Sequence, residues 1–452
     1  MQKGKKVDAL SVLPDDVLVN ILDRPTVRDA ARTSILSRRW TKLCAKLSWL
    51  IIKSILTRRN PGEHTIRLLS TTFYLRDDVP ISIGHAVCHA MMAHLVEDVK
   101  FSVMTGTYDI IDMVEDDLVT SARNFMLFFD ACPSEFGGLT ALDLENLRFG
   151  ESDISNVLIT CKRLKRLRLY NCDSGDCSTL PVEHSHLSEL SIVHCSLERV
   201  MLNWLPQLTR MVFEGWLQFQ DPLFIHVPLL EAVSLTNLSL SYHKMVKLSE
   251  FLSGSSIRDL KLRFCSEKFG ICFRQLRFLN IVDLPEGYDL TWTMYFLEAA
   301  PLLKELYITV WDHECKMEMD EEKRKEESYS ENKGVEWDSA AADFQHHSLV
   351  TLVMFGFESE DCFVSYVRRV LAAAVNLEDV FLCCGLECDN CPDKKPGRYP
   401  WTKRQRISLK KRMTAGIESF AIFHYATNMR TDHLKRREYP KCSLLEAKND
   451  FL

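Results

Sequence analysis

Ten times between residues 139 and 382 the chain repeats one spacing: an apolar residue, two others, a second apolar residue, one other, and a third apolar residue. Leu139, Leu142 and Leu144 make the first set and Leu164, Leu167 and Leu169 the second. The series runs on through Leu187/Leu190/Ile192, Leu208/Met211/Phe213 and Leu230/Val233/Leu235 to Leu377/Val380/Leu382. Most sets start 19 to 28 residues apart. The step from 303 to 349 is 46, room for one repeat plus an insertion or for two poor repeats. A period of this kind limits the fold before any other feature is weighed. Each set reads as a short strand with period-two alternation, with Leu167 and Leu169 pointing inward and Arg166, Arg168 and Tyr170 outward. One repeat cannot bury its own core, so the copies must stack strand beside strand into a parallel sheet, with return segments behind it. Two return segments have helical spacing: Ile154, Val157, Leu158 and Cys161, and Phe363, Val364, Val367, Val370, Leu371 and Ala374.

Three copies continue with cysteine, at Cys172, Cys195 and Cys265, the turn position where a leucine-rich repeat carries a buried Asn or Cys. These thiols are read as structural. The expected fold is α/β, a leucine-rich-repeat solenoid with its parallel sheet on the concave face. The array is placed at 139–390, with a C-terminal segment at 391–452. Residues 60–138 fit the template less well and read as degenerate first repeats, with a strand at Val96/Val99/Phe101 and a helix around His85 to Leu95. Residues 312–334 are dense in both charges and nearly free of apolar side chains, so they are expected to be a disordered insertion.

The first fifty residues stand apart. Pro14 suits a first helical position and Asp15 and Asp16 a first turn. Val17, Leu18, Ile21 and Leu22 form an apolar stripe that Pro25 ends. Thr26 and Asp29 open a second helix, and Trp40, Leu43 and Leu47 lie on a third. Three such short helices are marginal alone, which favours a module that docks on something else.

Leu13-Pro14-Asp15, Ile21-Leu22, the string Ala30 to Ser34 and the string Leu36 to Trp40 resemble a plant-type F-box, placed at 8–50. The resemblance implies binding to a Skp adaptor and through it to a cullin. Its adaptor contacts would be Leu13, Pro14, Leu18, Ile21, Leu22, Leu36 and Trp40. Pro25 stands where the family usually has Leu, a departure that bears on how firmly the F-box binds. Residues 132–149 and 164–175 are similar to the repeats of plant F-box/leucine-rich-repeat proteins, the grass group especially. Residues 346–384 are similar to the FBD segment of that group, through Phe355-Gly356-Phe357 and Asn376-Leu377-Glu378. The function implied is substrate recognition in a Skp–cullin–F-box ubiquitin ligase. The alternative is a repeat scaffold that binds proteins outside any ligase.

A protein target would be met by the outward strand residues Arg166, Arg168, Tyr170, Glu189, Arg210, Glu214, Lys261, Arg263 and Tyr307, with Asp143, Glu145 and Phe355 beside them. Their mix of charge and aromatic rings suits a protein or peptide, and plain solvated strand faces are the competing reading. Nothing in the sequence marks a small-ligand pocket.

Other chemistry finds little footing. Cys383, Cys384, Cys388 and Cys391 have the spacing of half a zinc site, against a plain loop of reduced thiols. In His85-Ala-Val-Cys88-His89, with His94 beyond, i,i+4 histidines lack the glutamate of a zinc hydrolase. No residue set is assigned to a metal or cofactor, and no nucleophile elbow, phosphate loop or dinucleotide fingerprint appears, so a non-catalytic role is expected. A net charge of −6 over 452 residues argues against nucleic acid, and the sequence holds no apolar run of membrane-spanning length. Sixteen cysteines without a secretory signal indicate reduced thiols, in the cytoplasm or nucleus. Residues 402–413 are basic, either a nuclear-import or anion-contact element or a plain charged helix.

Overall fold

The computed structural model describes residues 66–75, 79–92, 96–104, 115–175, 178–216, 223–237, 256–263, 273–284, 290–310, 344–384 and 399–426. The F-box-like segment, and with it all seven adaptor-contact candidates, lies outside these residues, as do 312–334, Cys265, Cys388 and Cys391. The chain divides into two compact units, Met1–Leu229 and Leu230–Leu452.

In the first unit a parallel sheet runs through β1 (Ile66–Tyr74), β2 (Val96–Met104), β3 (Ala141–Arg148) and β4 (Arg166–Asp173). After a strand of another sheet, β5 (Thr179–Glu183), it continues through β6 (Glu189–Val193). After β7 (Arg199–Trp204) it reaches β8 (Arg210–Trp216). The return segments are α1 (Val79–Met92), α2 (Glu115–Ala131), α3 (Pro133–Gly137) and α4 (Asp153–Thr160). Beyond α4 they become extended: β5, β7 and β9 (Leu223–Phe224) form a second parallel sheet that the leucine spacing does not signal. Repeat length accounts for the switch. The 25-residue repeat starting at Leu139 accommodates α4, whereas those starting at Leu164 and Leu187 have 23 and 21 residues. A strand covers about 3.3 Å per residue and a helix about 1.5 Å, so the shorter repeats return as strands.

The inner face is built as the spacing predicts. Phe101, Leu142, Leu167, Leu190 and Met211 stand in one cross-strand row, and Val103, Leu144, Leu169, Ile192 and Phe213 in the next, all buried. Helix α2 opens with Glu115, Asp116 and Asp117, suited to a positive helix N-terminus, and buries Phe125, Phe128 and Phe129. These rings meet Phe101, Phe136 and Phe149, with Phe128 and Phe136 centroids 5.0 Å apart.

Four strand ends share one irregularity. Asn146, Asn171 and His194 have φ of 57°, 48° and 53°, and Gly356 has 72°. Each left-handed residue breaks the alternation and sends the following side chain inward: Leu147, Cys172, Cys195 and Phe357 are all buried. Asn171 Nδ2 donates to Asn146 Oδ1 at 2.7 Å, linking two corners. Gly356 is the corner that requires glycine, because a Cβ there would lie 1.9 Å from the Val310 carbonyl oxygen.

Among the described residues the second unit forms one parallel sheet: β10 (Ala232–Asn237), β11 (Asp259–Arg263), β12 (Phe278–Leu284), β13 (Glu305–Val310), β14 (Thr351–Phe355), β15 (Asp379–Cys383) and β16 (Ile422–Ala426). Its returns are a 3-10 turn at Leu290–Thr293 leading into α5 (Met294–Ala299), then α6 (Asp361–Ala373) and α7 (Lys403–Thr414). The FBD-like stretch is β14, α6 and β15. Helix α6 buries Phe363, Val364, Tyr366, Val367, Val370 and Leu371, and Tyr366 Oη lies 2.7 Å from Thr293 Oγ1. The basic stretch is α7, opened by a capping box in which Thr402 Oγ1 accepts from Gln405 N and Gln405 Oε1 accepts from Thr402 N. Strand β16 extends the sheet past residue 390, where the repeat spacing places the end of the array. Its inward positions are Phe423 and Tyr425 rather than leucines, which hides it from the template.

Two histidines close the repeats from within. His184 Nε2 donates to the Cys161 carbonyl at 3.0 Å while its Nδ1 accepts from His186 N at 3.1 Å. His346 repeats this with the Ala300 carbonyl (3.0 Å) and Leu349 N (3.0 Å). Each sits three residues before the first leucine of its repeat, Leu187 or Leu349, and each caps the end of the preceding helix.

Candidate protein-binding face

Residues that alternate with the buried leucines stand on the outer face of the sheet. In the first unit Lys100, Ala141, Arg166, Glu189 and Arg210 share one cross-strand row. Ser102, Asp143, Arg168, Ser191 and Val212 form the next, and Glu145, Tyr170, Val193 and Glu214 a third. Lys100 Nζ pairs with Asp143 Oδ2 at 2.5 Å, and Ser102 Oγ donates to the same oxygen at 3.2 Å. The Arg168 guanidinium lies 5.1 Å from the centre of the Tyr170 ring. Burial pushes the Glu145 carboxyl above its ordinary value, with Arg168 acting against this and Asp143 adding to it. Tyr170 is also raised, first by burial and then by the Glu145 charge, with Arg168 opposing. The result is a half-buried, charge-linked patch.

Of the candidates, Arg166 and Glu189 are exposed, and Arg168, Tyr170, Arg210, Lys261 and Tyr307 half-buried. Glu214 departs from its expected outward exposure: it is 5% exposed. It stands beside Val193, itself 7% exposed, in the row where the Tyr170 and His194 rings meet edge to face at 5.4 Å. A row lined by such large groups leaves little solvent at its end. The Arg263 side chain lies outside the described residues. Alternation in β2, read as far as Lys100 and Ser102, would have added both to the list.

In the second unit the outer rows are more aromatic. Lys261, Asn280, Tyr307, Val353, Phe381 and His424 share one row. Phe278 and Tyr307 lie 5.0 Å apart, and Phe381 and His424 stack at 4.3 Å with planes 14° apart. His424 Nε2 is 2.7 Å from Asp379 Oδ1, which orients the imidazole. His424 lies outside the sequence-derived set because it belongs to the unforeseen β16, whereas Phe381, between Val380 and Leu382, is an outward position that the alternation in β15 already offers.

Of the other groups singled out in the sequence, the described repeat cysteines have ordinary surroundings. Burial raises the thiols of Cys161, Cys195 and Cys383 to about 12, so these are protonated small hydrophobes rather than nucleophiles. Cys172 N donates to Cys195 Sγ at 3.3 Å, so these two turn cysteines serve the backbone. His85 reaches across to Glu135 on α3 at 2.8 Å.

This chain is similar to the family described as the At1g61320/AtMIF1 LRR domain over residues 128–425. It is 28% identical over 211 residues to the F-box/FBD/LRR-repeat protein At3g52680 of Arabidopsis thaliana, covering 41% of this chain and 45% of that protein. It is 23% identical over 288 residues to the F-box/LRR-repeat protein At3g26922 of the same plant, covering 57% and 90%. A third relative from that plant, the F-box/FBD/LRR-repeat protein At5g56420, is 23% identical over 337 residues, covering 66% and 76%. The chain thus spans less than half the length of the first of these relatives.

Proposed function

Since this chain belongs to the plant F-box/leucine-rich-repeat proteins, we propose that it is the substrate-recognition subunit of a Skp–cullin–F-box ubiquitin ligase, working in the cytoplasm or nucleus. Residues 8–50 hold the chain on a Skp adaptor, and the adaptor joins it to a cullin. The outer strand face captures a protein target. Enzymes on the cullin then transfer ubiquitin, and this chain contributes proximity, raising the effective concentration of target lysines at the transfer site. The observation that carries the reading is one chain holding both the F-box string Leu36 to Trp40 and a stacked repeat face with an outward charge-and-aromatic surface.

Binding of the full chain to a plant Skp adaptor tests it, with a Leu18→Asp/Trp40→Ala double variant as control. Micromolar or tighter binding that the double variant loses supports the ligase role. Absence of binding would assign Pro25 a decisive effect and leave a repeat scaffold that acts outside a ligase.

A further inference from the structure

One corner of the first unit gathers three metal-ligating groups from two helices. His85 lies on α1, and Cys132 and Glu135 open α3, where Cys132 is the residue that caps the helix. Their ligand atoms all lie within 4.8 Å of one another. Tetrahedral zinc, with bonds of about 2.0–2.3 Å, holds such atoms about 3.3–3.6 Å apart, so the longest separation would have to shorten by no more than about 1.5 Å. The Glu135 carboxylate is 5% exposed and Cys132 fully buried, whereas the His85 side chain is 57% exposed and opens the corner to solvent. The close approach of the helices is built in: a Cβ on Gly84 would lie 3.0 Å from Cys132 Sγ. A buried carboxylate calls for a cation or full hydrogen bonding, and the partner present here is a mostly exposed imidazole.

We propose that His85, Cys132 and Glu135 bind a divalent cation of the zinc class that ties α1 to α3. The charges balance: a dication, a thiolate, a carboxylate and a neutral imidazole sum to zero, as a half-buried corner requires. One nitrogen, one sulfur and one oxygen donor match the borderline character of zinc, and three protein ligands leave the fourth position to water. Without metal the Cys132 thiol is pushed up to about 12 by burial, then by the charges of Glu135 and Cys88. Loading therefore displaces the thiol proton, and affinity rises with pH. Cys88 lies one turn along α1, half-buried and outside the cluster of three.

The test uses the full chain, reduced, stripped with chelator and titrated with Co²⁺, reading thiolate-to-cobalt absorption in the near ultraviolet. The expected result is saturation with a component of one Co²⁺ per chain, displaced by Zn²⁺. That component is lost in Cys132→Ser and weakened roughly tenfold or more in His85→Ala, since even an outer-shell partner is worth about 10–100-fold. Circular dichroism checks that the His85→Ala variant stays folded, so that it separates loss of a ligand from loss of structure. No thiolate-to-cobalt absorption in the unaltered chain, or absorption undiminished in either variant, overturns the proposal.

Discussion

The two units bury the same kind of inner rows yet present different outer ones. The first unit sets Arg166, Glu189 and Arg210 side by side across three strands, with Lys100 and Asp143 paired nearby. The second sets Tyr307, Val353, Phe381 and His424 in one row and stacks the last two rings. Inner positions are held to leucine-like side chains by close packing. Outer positions answer only to solvent and to a partner, so they diverge. A partner seated on the first unit would bind in a salt-sensitive way, whereas one seated on the second would bury rings and depend less on ionic strength.

The sharpest way to break this comparison is at the corners. Gly356→Ala in the second unit should cost about 3 kcal/mol or more, because the new Cβ meets the Val310 carbonyl and φ is positive. Asn171→Gly, at the matching corner of the first unit, should cost under about 1 kcal/mol, since glycine adopts that φ freely and one hydrogen bond is lost. Thermal unfolding of the two variants measures the contrast, and equal losses would remove it. Next in size, Phe381→Ala should lower stability by about 1–2 kcal/mol through the lost stack on His424.

A smaller response should be common to both units. Burial lowers the pKa of His184 and His346 from 6.5. The unfolded chain takes up protons as pH falls through about 6.5 while the folded chain resists, so stability is lost on the acid side and is level above it. Unfolding midpoints measured from pH 8 to pH 5 should fall below that point. His184→Gln or His346→Gln should blunt the fall, and an unchanged slope in both variants would show that other groups control it. The smallest effect is expected from Arg166→Glu with Arg210→Glu, under about 1 kcal/mol in stability because the site faces solvent. Target capture should suffer far more than stability. A stability loss matching that of Phe381→Ala would make the charged rows structural.

Much of this was legible locally. The leucine spacing located β3, β4, β6, β8 and β10 to β15, because alternation within five or six residues decides which side chains face inward. Helical spacing found α4 and α6 for the same reason. The outward assignment of Arg166, Arg168, Glu189 and Tyr307 followed from the same alternation. Spacing along α1 relates His85 only to its neighbours there, although Cys132 and Glu135 carry the same i,i+3 spacing as His85 and Cys88. No rule confined to one segment joins two such pairs.

The sequence by itself therefore determined the repeat, the inner rows and the kind of surface each strand presents, since these depend on contacts only one or two residues apart. Tertiary structure alone decided that Glu214 is covered and that short repeats return as a second sheet. It also decided that aromatic β16 joins the array, that His184 and His346 cap helices more than twenty residues upstream, and that Glu135 meets His85 across fifty residues. Each of these turns on which distant group arrives at a site once the repeats have stacked, and local periodicity carries no record of that.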